Sequence, residues 1–175
     1  MRLVLENSQY ALIPVQRDIE ALQLYIELEE MRSNYRFVYQ LNIDDALVQG
    51  DYKIPPLLIQ PYVENAIVHG LRHKEDGKGD LVVDMKLDSD NILIVVDDNG
   101  IGRKRSAEIN SQTKSNRQHL GMRVTQQRIE TLNLINHTKI EILISDLAYG
   151  NRNVEPGTHV EIVVPAQIKF QGHAN

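Results

Sequence analysis

Hydrophobic spacing switches between a helical period and strict alternation along this chain, and the order of the switches limits the folds open to it. Residues 15 to 32, VQRDIEALQLYIELEEMR, set Ile19, Leu22 and Ile26 at helical spacing with no Gly or Pro inside, which predicts an amphipathic helix. The next stretch, YRFVYQLNI, alternates Tyr35, Phe37, Tyr39, Leu41 and Ile43 against polar partners, the period of a half-buried strand. Pro55 and Pro56 then open a second helix, and Gly70 is placed to end it. After the glycine-containing KEDGKGD, LVVDMKL and ILIVVDD read as strands joined by a DSDN hairpin turn. Residues 103 to 119 are polar with weak periodicity, predicting a short helix at most and otherwise a mobile loop. A helix from about Gly121 to Asn136 follows, and two further strands, KIEILIS and THVEIVV, flank the loop AYGNRNVEPG ahead of a tail. Hairpins with helices between them predict an α+β fold: a two-layer sandwich with a mixed, largely antiparallel sheet and helices on one face.

At 175 residues the chain suits one domain with a sizeable core, and 42% hydrophobic with 25% charged residues suits a globular protein. The absence of cysteine excludes disulfide scaffolds, thiolate zinc sites and thiol nucleophiles. No apolar run approaches the roughly 20 residues that span a bilayer, so a soluble, cytoplasmic chain is expected. A formal charge of −5 argues against a nucleic-acid-binding domain.

Chemistry concentrates in two places. In IPPLLIQPYVENAIVHGL, Ile59, Val63, Ala66, Ile67 and Gly70 share one side of a helical wheel while Asn65 and His69 lie on the other with Leu58 and Tyr62. On the residues alone two readings stand: a buried amide and a dipole-favoured terminal histidine, or a metal-binding amide beside a ligand-contacting imidazole. In VVDDNGIG a strand runs into Asp97 and Asp98 and then Gly100 and Gly102, glycines that permit positive φ or close approach of a ligand. Asp98 there is either an exposed turn acid or an acceptor for an exocyclic amine such as that of adenine. The segment from Arg103 to His119 carries five basic residues against one acidic one, a solvated loop or a lid over polyphosphate. In HLGMRV the helix beginning at Gly121 offers backbone amides to an anion, and Gly157-Thr158 stands at a strand entrance.

The order of VENAIVHG, DDNGIG, HLGM and GTHVEIVVP resembles the N, G1, G2 and G3 boxes of the GHKL ATP-binding fold, as found in sensor histidine kinase catalytic domains. LQLYIELEEMR, IPPLLIQPYVENAIVHGL and LGMRVTQQRIETLN further resemble the LytS-like class, and the similarity runs from about Leu3 to Pro165. The resemblance implies ATP and Mg2+ as ligands, with Asn65 as magnesium ligand, Glu64 and Asn65 as the catalytic pair, and His69 lining the nucleotide site. It further implies Asp98 as the adenine acceptor, Gly100 and Gly102 as the lid hinge, His119, Gly121 and Met122 as the phosphate-side box, and Thr158 as a partner of Asp98. The reaction implied is in-line transfer of the γ-phosphoryl group to a histidine.

The same resemblance divides the chain into residues 1-32, the end of an upstream histidine-bearing region, a GHKL domain over 33-166, and a tail over 167-175. Its implied partners are ATP, the upstream segment and a response regulator of LytTR type, in a full-length protein that is membrane-associated and dimeric. Three departures from the pattern are visible. Val68 replaces a lysine before the N-box histidine, His119 replaces the first G2 glycine, and no histidine precedes His69 as phosphoacceptor. Pro61 occupies the position where GHKL hydrolases carry a water-activating glutamate, which favours phosphotransfer over a gyrase- or Hsp90-like machine. The alternative is a degenerate nucleotide-binding scaffold without phosphotransfer.

Overall fold

The computed structural model describes residues 12–75, 77–112, 120–147 and 157–167. A two-residue strand, β1 (Ile13–Pro14), leads into helix α1 (Val15–Arg32), strand β2 (Phe37–Ile43), a short helix α2 (Asp45–Gln49) and strand β3 (Lys53–Ile54). Helix α3 (Gln60–Asn65) passes into a π-helical turn (Ala66–Gly70) and a 3-10 turn (Leu71–His73). Strands β4 (Gly79–Asp88) and β5 (Asn91–Asp98), helices α4 (Gly102–Gln112) and α5 (Leu120–Asn136), and strands β6 (Glu141–Leu147) and β7 (Gly157–Pro165) complete the order.

Five strands form one sheet in the order β2-β4-β5-β7-β6, parallel between β2 and β4 and antiparallel elsewhere. The alternation that marked the strands sorts their side chains. Leu81, Val83, Met85, Ile92, Ile94, Val96, Val160, Ile162 and Val164 are buried, while the residues between them are half-buried or exposed. Helices cover the buried face: Leu22 and Ile26 of α1, Val63 of α3, Ile67 of the π turn and Ile129 of α5 enter the same core. This is the expected two-layer α+β sandwich. β1 and β3 pair in a small second sheet, and α2, capped by Asp44 accepting from the Ala46 N–H at 3.0 Å, had no counterpart in the sequence reading.

Two expectations need correction. The second helix begins at Gln60, with Pro61 in its first turn, and not at Pro55-Pro56. A residue ahead of proline is driven out of the α region, so Pro55 cannot be helical, and Leu57 takes a left-handed conformation with φ 59°. Gly70 does end the π-helical turn, as expected, and a 3-10 turn follows it directly from Leu71. The polar segment after Gly102 is helical through Gln112, longer than predicted, and residues 113–119 of the predicted loop lie outside the described residues. Among the described residues no helix is long and apolar enough to cross a membrane.

Candidate functional site

Asp98 is the last residue of β5 and only 2% exposed, so its carboxylate has exchanged water for protein donors. The Gly100 N–H donates to its Oδ1 at 2.8 Å, and both the hydroxyl and the N–H of Thr158, its cross-strand neighbour on β7, donate to it as well. Burial pushes the Asp98 carboxyl up to about 6, opposed by these three donors, while the neighbouring charge of Asp97 adds to the rise. Three internal donors on one carboxylate hold it in a fixed orientation and leave its remaining acceptor capacity for a partner outside the chain.

The glycines around it are there because nothing larger fits. A Cβ on Gly100 would stand 2.5 Å from the carbonyl carbon of Gly70, one on Gly70 would stand 2.8 Å from Asp98 Oδ1, and one on Gly157 would fall 1.7 Å from the Asp98 carbonyl oxygen. Of the two glycines in DDNGIG only Gly102 takes positive φ, 73°; Gly100 serves close approach alone. Sequence reasoning missed Gly70 and Gly157 as members of the site. Gly70 looked like a helix end and Gly157 like a strand entrance, and only contacts made across the fold give them their role.

Asn99 locks the turn. Its side-chain oxygen accepts from the Asp80 N–H at 2.8 Å, its amide donates to the Asp80 carboxylate, and Lys74 Nζ donates to its carbonyl oxygen at 2.9 Å. The Ile101 N–H reaches the Gly70 carbonyl oxygen at 3.4 Å and ties this turn to the end of the π-helical turn. The π turn is what brings the two chemical stretches together, because Gly70 closes it against Asp98 and Gly100 while Asn65 and His69 sit just before.

Asn65 and His69 are half-buried and Glu64 is exposed. Leu58 and Tyr62, which shared their side of the wheel, are buried by the chain's own core. The additional residue in a π turn shifts the 100° spacing after Asn65, so a regular wheel no longer describes the face. At the start of α4, Arg103 Nε bonds Asp146 Oδ1 of β6 at 2.7 Å and fixes the first turn of the basic segment on the sheet edge. Met122 is half-buried against the core from α5, Gly121 lies in the first turn of that helix, and His119 lies outside the described residues.

A single amide oxygen from Asn65, with no cluster of three His, Asp or Glu side chains among the described residues, suits a hard cation held mostly by phosphate and water. It does not suit a zinc or iron centre built from protein ligands.

No family model matches the chain. It is 29% identical over 167 residues to the sensor protein LytS of Oceanobacillus iheyensis, covering 94% of this chain and 27% of that protein. It is 30% identical over 132 residues to the sensor histidine kinase/phosphatase LytS of Staphylococcus aureus, covering 70% of this chain and 22% of that protein. The chain thus spans about a quarter of the length of the curated relatives it matches. Among solved structures, a mycobacterial sensor histidine kinase, MprB, superposes with TM-score 0.55 at 14% identity over 90% of this chain and 98% of that one. The catalytic domain of histidine kinase ThkA superposes with TM-score 0.54 at 12% identity over 90% and 97%. The fold is that of these histidine kinase catalytic domains.

Proposed function

The chain is homologous to LytS sensor histidine kinases, and from that premise we propose that it is the catalytic domain of a two-component sensor histidine kinase, binding Mg-ATP and transferring its γ-phosphoryl group to a histidine. The observation that carries this reading is Asp98: a buried carboxylate at a strand end, oriented by three internal donors and walled by glycines, beside the turn that bears Asn65 and His69. Asp98 accepts from the adenine amine. Thr158 and the Gly100 N–H hold it for that bond, and Gly70, Gly100 and Gly157 keep the backbone close enough for the base to lie against it. His69 lines the nucleotide, and Glu64 stands beside Asn65 at the reacting end. Gly102 hinges a basic lid, with His119, Gly121 and Met122 on its phosphate side.

Asn65 holds Mg2+ through its side-chain oxygen, and the ion, when bound, neutralises charge on the phosphates. With little covalent work for the protein to do, positioning of the phosphoryl donor by these groups supplies most of the catalysis. We take residues 33-166 as the nucleotide-binding unit, 1-32 as its link to the histidine-bearing region and 167-175 as a tail, in a cytoplasmic domain whose partners are that region and a response regulator.

Calorimetric titration with ATP, with and without Mg2+, tests the reading. The unmodified chain is expected to bind ATP more tightly with Mg2+, and Asn65→Ala to remove most of that difference while retaining the Mg-free affinity. A chain that binds ATP in neither condition ends the proposal.

A further inference from the structure

Among the described residues four polar or charged ones are buried: Asp98 and Thr158 in the candidate site, and Asp18 and Glu29, both on α1. The second pair does no chemistry in the reading above, yet both carboxylates reach the same stretch of chain. Asp18 Oδ1 accepts from the Leu57 N–H at 3.2 Å, and Glu29 Oε2 pairs with Arg72. Leu57 lies three residues before α3 and Arg72 lies in the 3-10 turn two residues past Gly70, so the two bonds close on either end of the segment that carries Asn65 and His69.

The spacing fits. Residues 18 and 29 are separated by about three helical turns, which puts them on one face of α1 roughly 16 Å apart. Between them, Tyr25 is half-buried close to Glu64, Glu29 and Arg72, and its phenol is pushed up by burial first and then by the two carboxylates. Arg32 Nη1 bonds the other Glu29 oxygen at 2.9 Å, so the carboxylate is fixed by two guanidinium groups from two elements. At the far end Arg128 of α5 lies close to Asp18 and donates to the Pro56 carbonyl oxygen at 2.8 Å, bracing the left-handed turn at Leu57 from the opposite side.

An ion pair between a buried carboxylate and a half-exposed guanidinium is weak as a source of stability, because desolvation and solvent screening offset much of the attraction. What such a pair supplies is direction: the guanidinium fork must meet the carboxylate in one geometry. A π-helical turn between an α-helix and a 3-10 turn has a neighbouring register open to it, the plain α-helical one. That register would rotate His69 relative to Asn65.

We propose that Glu29 and Arg72, with Asp18 at the opposite end, are positioning residues that make α1 a splint for the Asn65–Gly70 turn, fixing its register for Mg-ATP. The inference rests on the nucleotide reading above and extends it to a helix that contributes no ligand.

The test is a double variant, Glu29→Met/Arg72→Met, which replaces the pair by apolar side chains and avoids leaving a buried charge alone, with Arg72→Lys as the conservative comparison. Circular dichroism melting reports the fold, and calorimetry reports the affinity for ATP with and without Mg2+. The double variant is expected to melt within a few degrees of the unmodified chain and to lose about tenfold or more in Mg-ATP affinity, as misplacement of a ligand by a fraction of an ångström would require. Its Mg-free affinity, held through Asp98, is expected to stay within about twofold, and Arg72→Lys to recover part of the loss. Unchanged Mg-ATP affinity in the folded double variant overturns the proposal, as does an equal loss with and without Mg2+. Should the double variant not fold, Glu29→Gln with the same two titrations decides by the same criteria. An unmodified chain that binds no nucleotide removes the underlying reading and the splint with it.

Discussion

Asp98 makes one side chain answerable in two independent measurements. Its carboxyl is pushed up to about 6 in the folded chain by burial, from an ordinary value of 3.8, so the native state holds a proton more tightly than the unfolded one. The native state therefore binds more protons between pH 4 and 6, and stability falls as pH rises through that window, by about 3 kcal/mol in all above pH 6. Asp98→Asn removes this contribution. The stability of the variant minus that of the unmodified chain, from urea titrations at pH 4 and pH 7.5, is expected to shift in favour of the variant by about 2 kcal/mol, most of the full contribution. Asp18, also pushed up to about 6 by burial, contributes the same slope to both proteins and cancels in the difference. The same substitution should weaken ATP binding by about 100-fold, because the donors from Gly100 and Thr158 fix the amide oxygen and turn its NH2, a donor, toward the adenine amine. A variant that is more stable at pH 7.5 and binds ATP as well as the unmodified chain would refute the adenine assignment and leave the buried acid intact.

At the scale of elements, the strand-end turn, the π turn and β7 meet through backbone, and the glycines there set how much change the packing accepts. A Cβ at Gly100 meets two backbone atoms of Gly70 within 2.6 Å, and neither can move without shifting the turn. Gly100→Ala is expected to cost about 3 kcal/mol, lowering the melting temperature by on the order of 6–12 °C. At Gly77, with φ +71° and nothing within 4 Å of an added Cβ, alanine meets only backbone strain and should cost about 1 kcal/mol. Paired thermal melts check the contrast; equal losses at the two positions would contradict the packing account.

These contacts also mark where the sequence stopped being readable. Elements with a clean period, such as α1 and the strands β4 and β5, were legible to within a few residues because one face of each meets the core. So were Asp98, Gly100 and Thr158 as a set, since their order along the chain carries the pattern. The π turn left no trace, because inserting one residue into a helical path changes no residue type. The true start of α3 depends on Asp18 holding Leu57, a bond spanning 39 residues. Helix α4 is polar nearly all round, with Arg103 anchored on β6, so its sequence carried no period to read.

Considered whole, the proposed phosphotransfer needs a histidine to accept the phosphoryl group. No histidine precedes His69 in the 175 residues, and His159 is turned to Asp97 at 2.6 Å on the sheet face opposite the helices. On the proposed reading the acceptor lies on another segment, and transfer becomes a bimolecular step when that segment is supplied separately. A segment tethered in the same protein sits at an effective concentration in the millimolar range, so a free histidine-bearing helical peptide should be labelled by γ-labelled Mg-ATP at a rate linear in peptide concentration up to about 1 mM. The phosphate should be acid-labile, as on histidine. Asn65→Ala should slow the transfer by about 100-fold, the loss expected when a group that helps place charge at the reacting phosphoryl is removed. Peptide left unlabelled at millimolar concentration by a chain that binds Mg-ATP would instead identify a nucleotide-bound scaffold. Labelling that survives Asn65→Ala would keep the kinase and move the magnesium site elsewhere, so the two halves of the proposal are separable in a single assay.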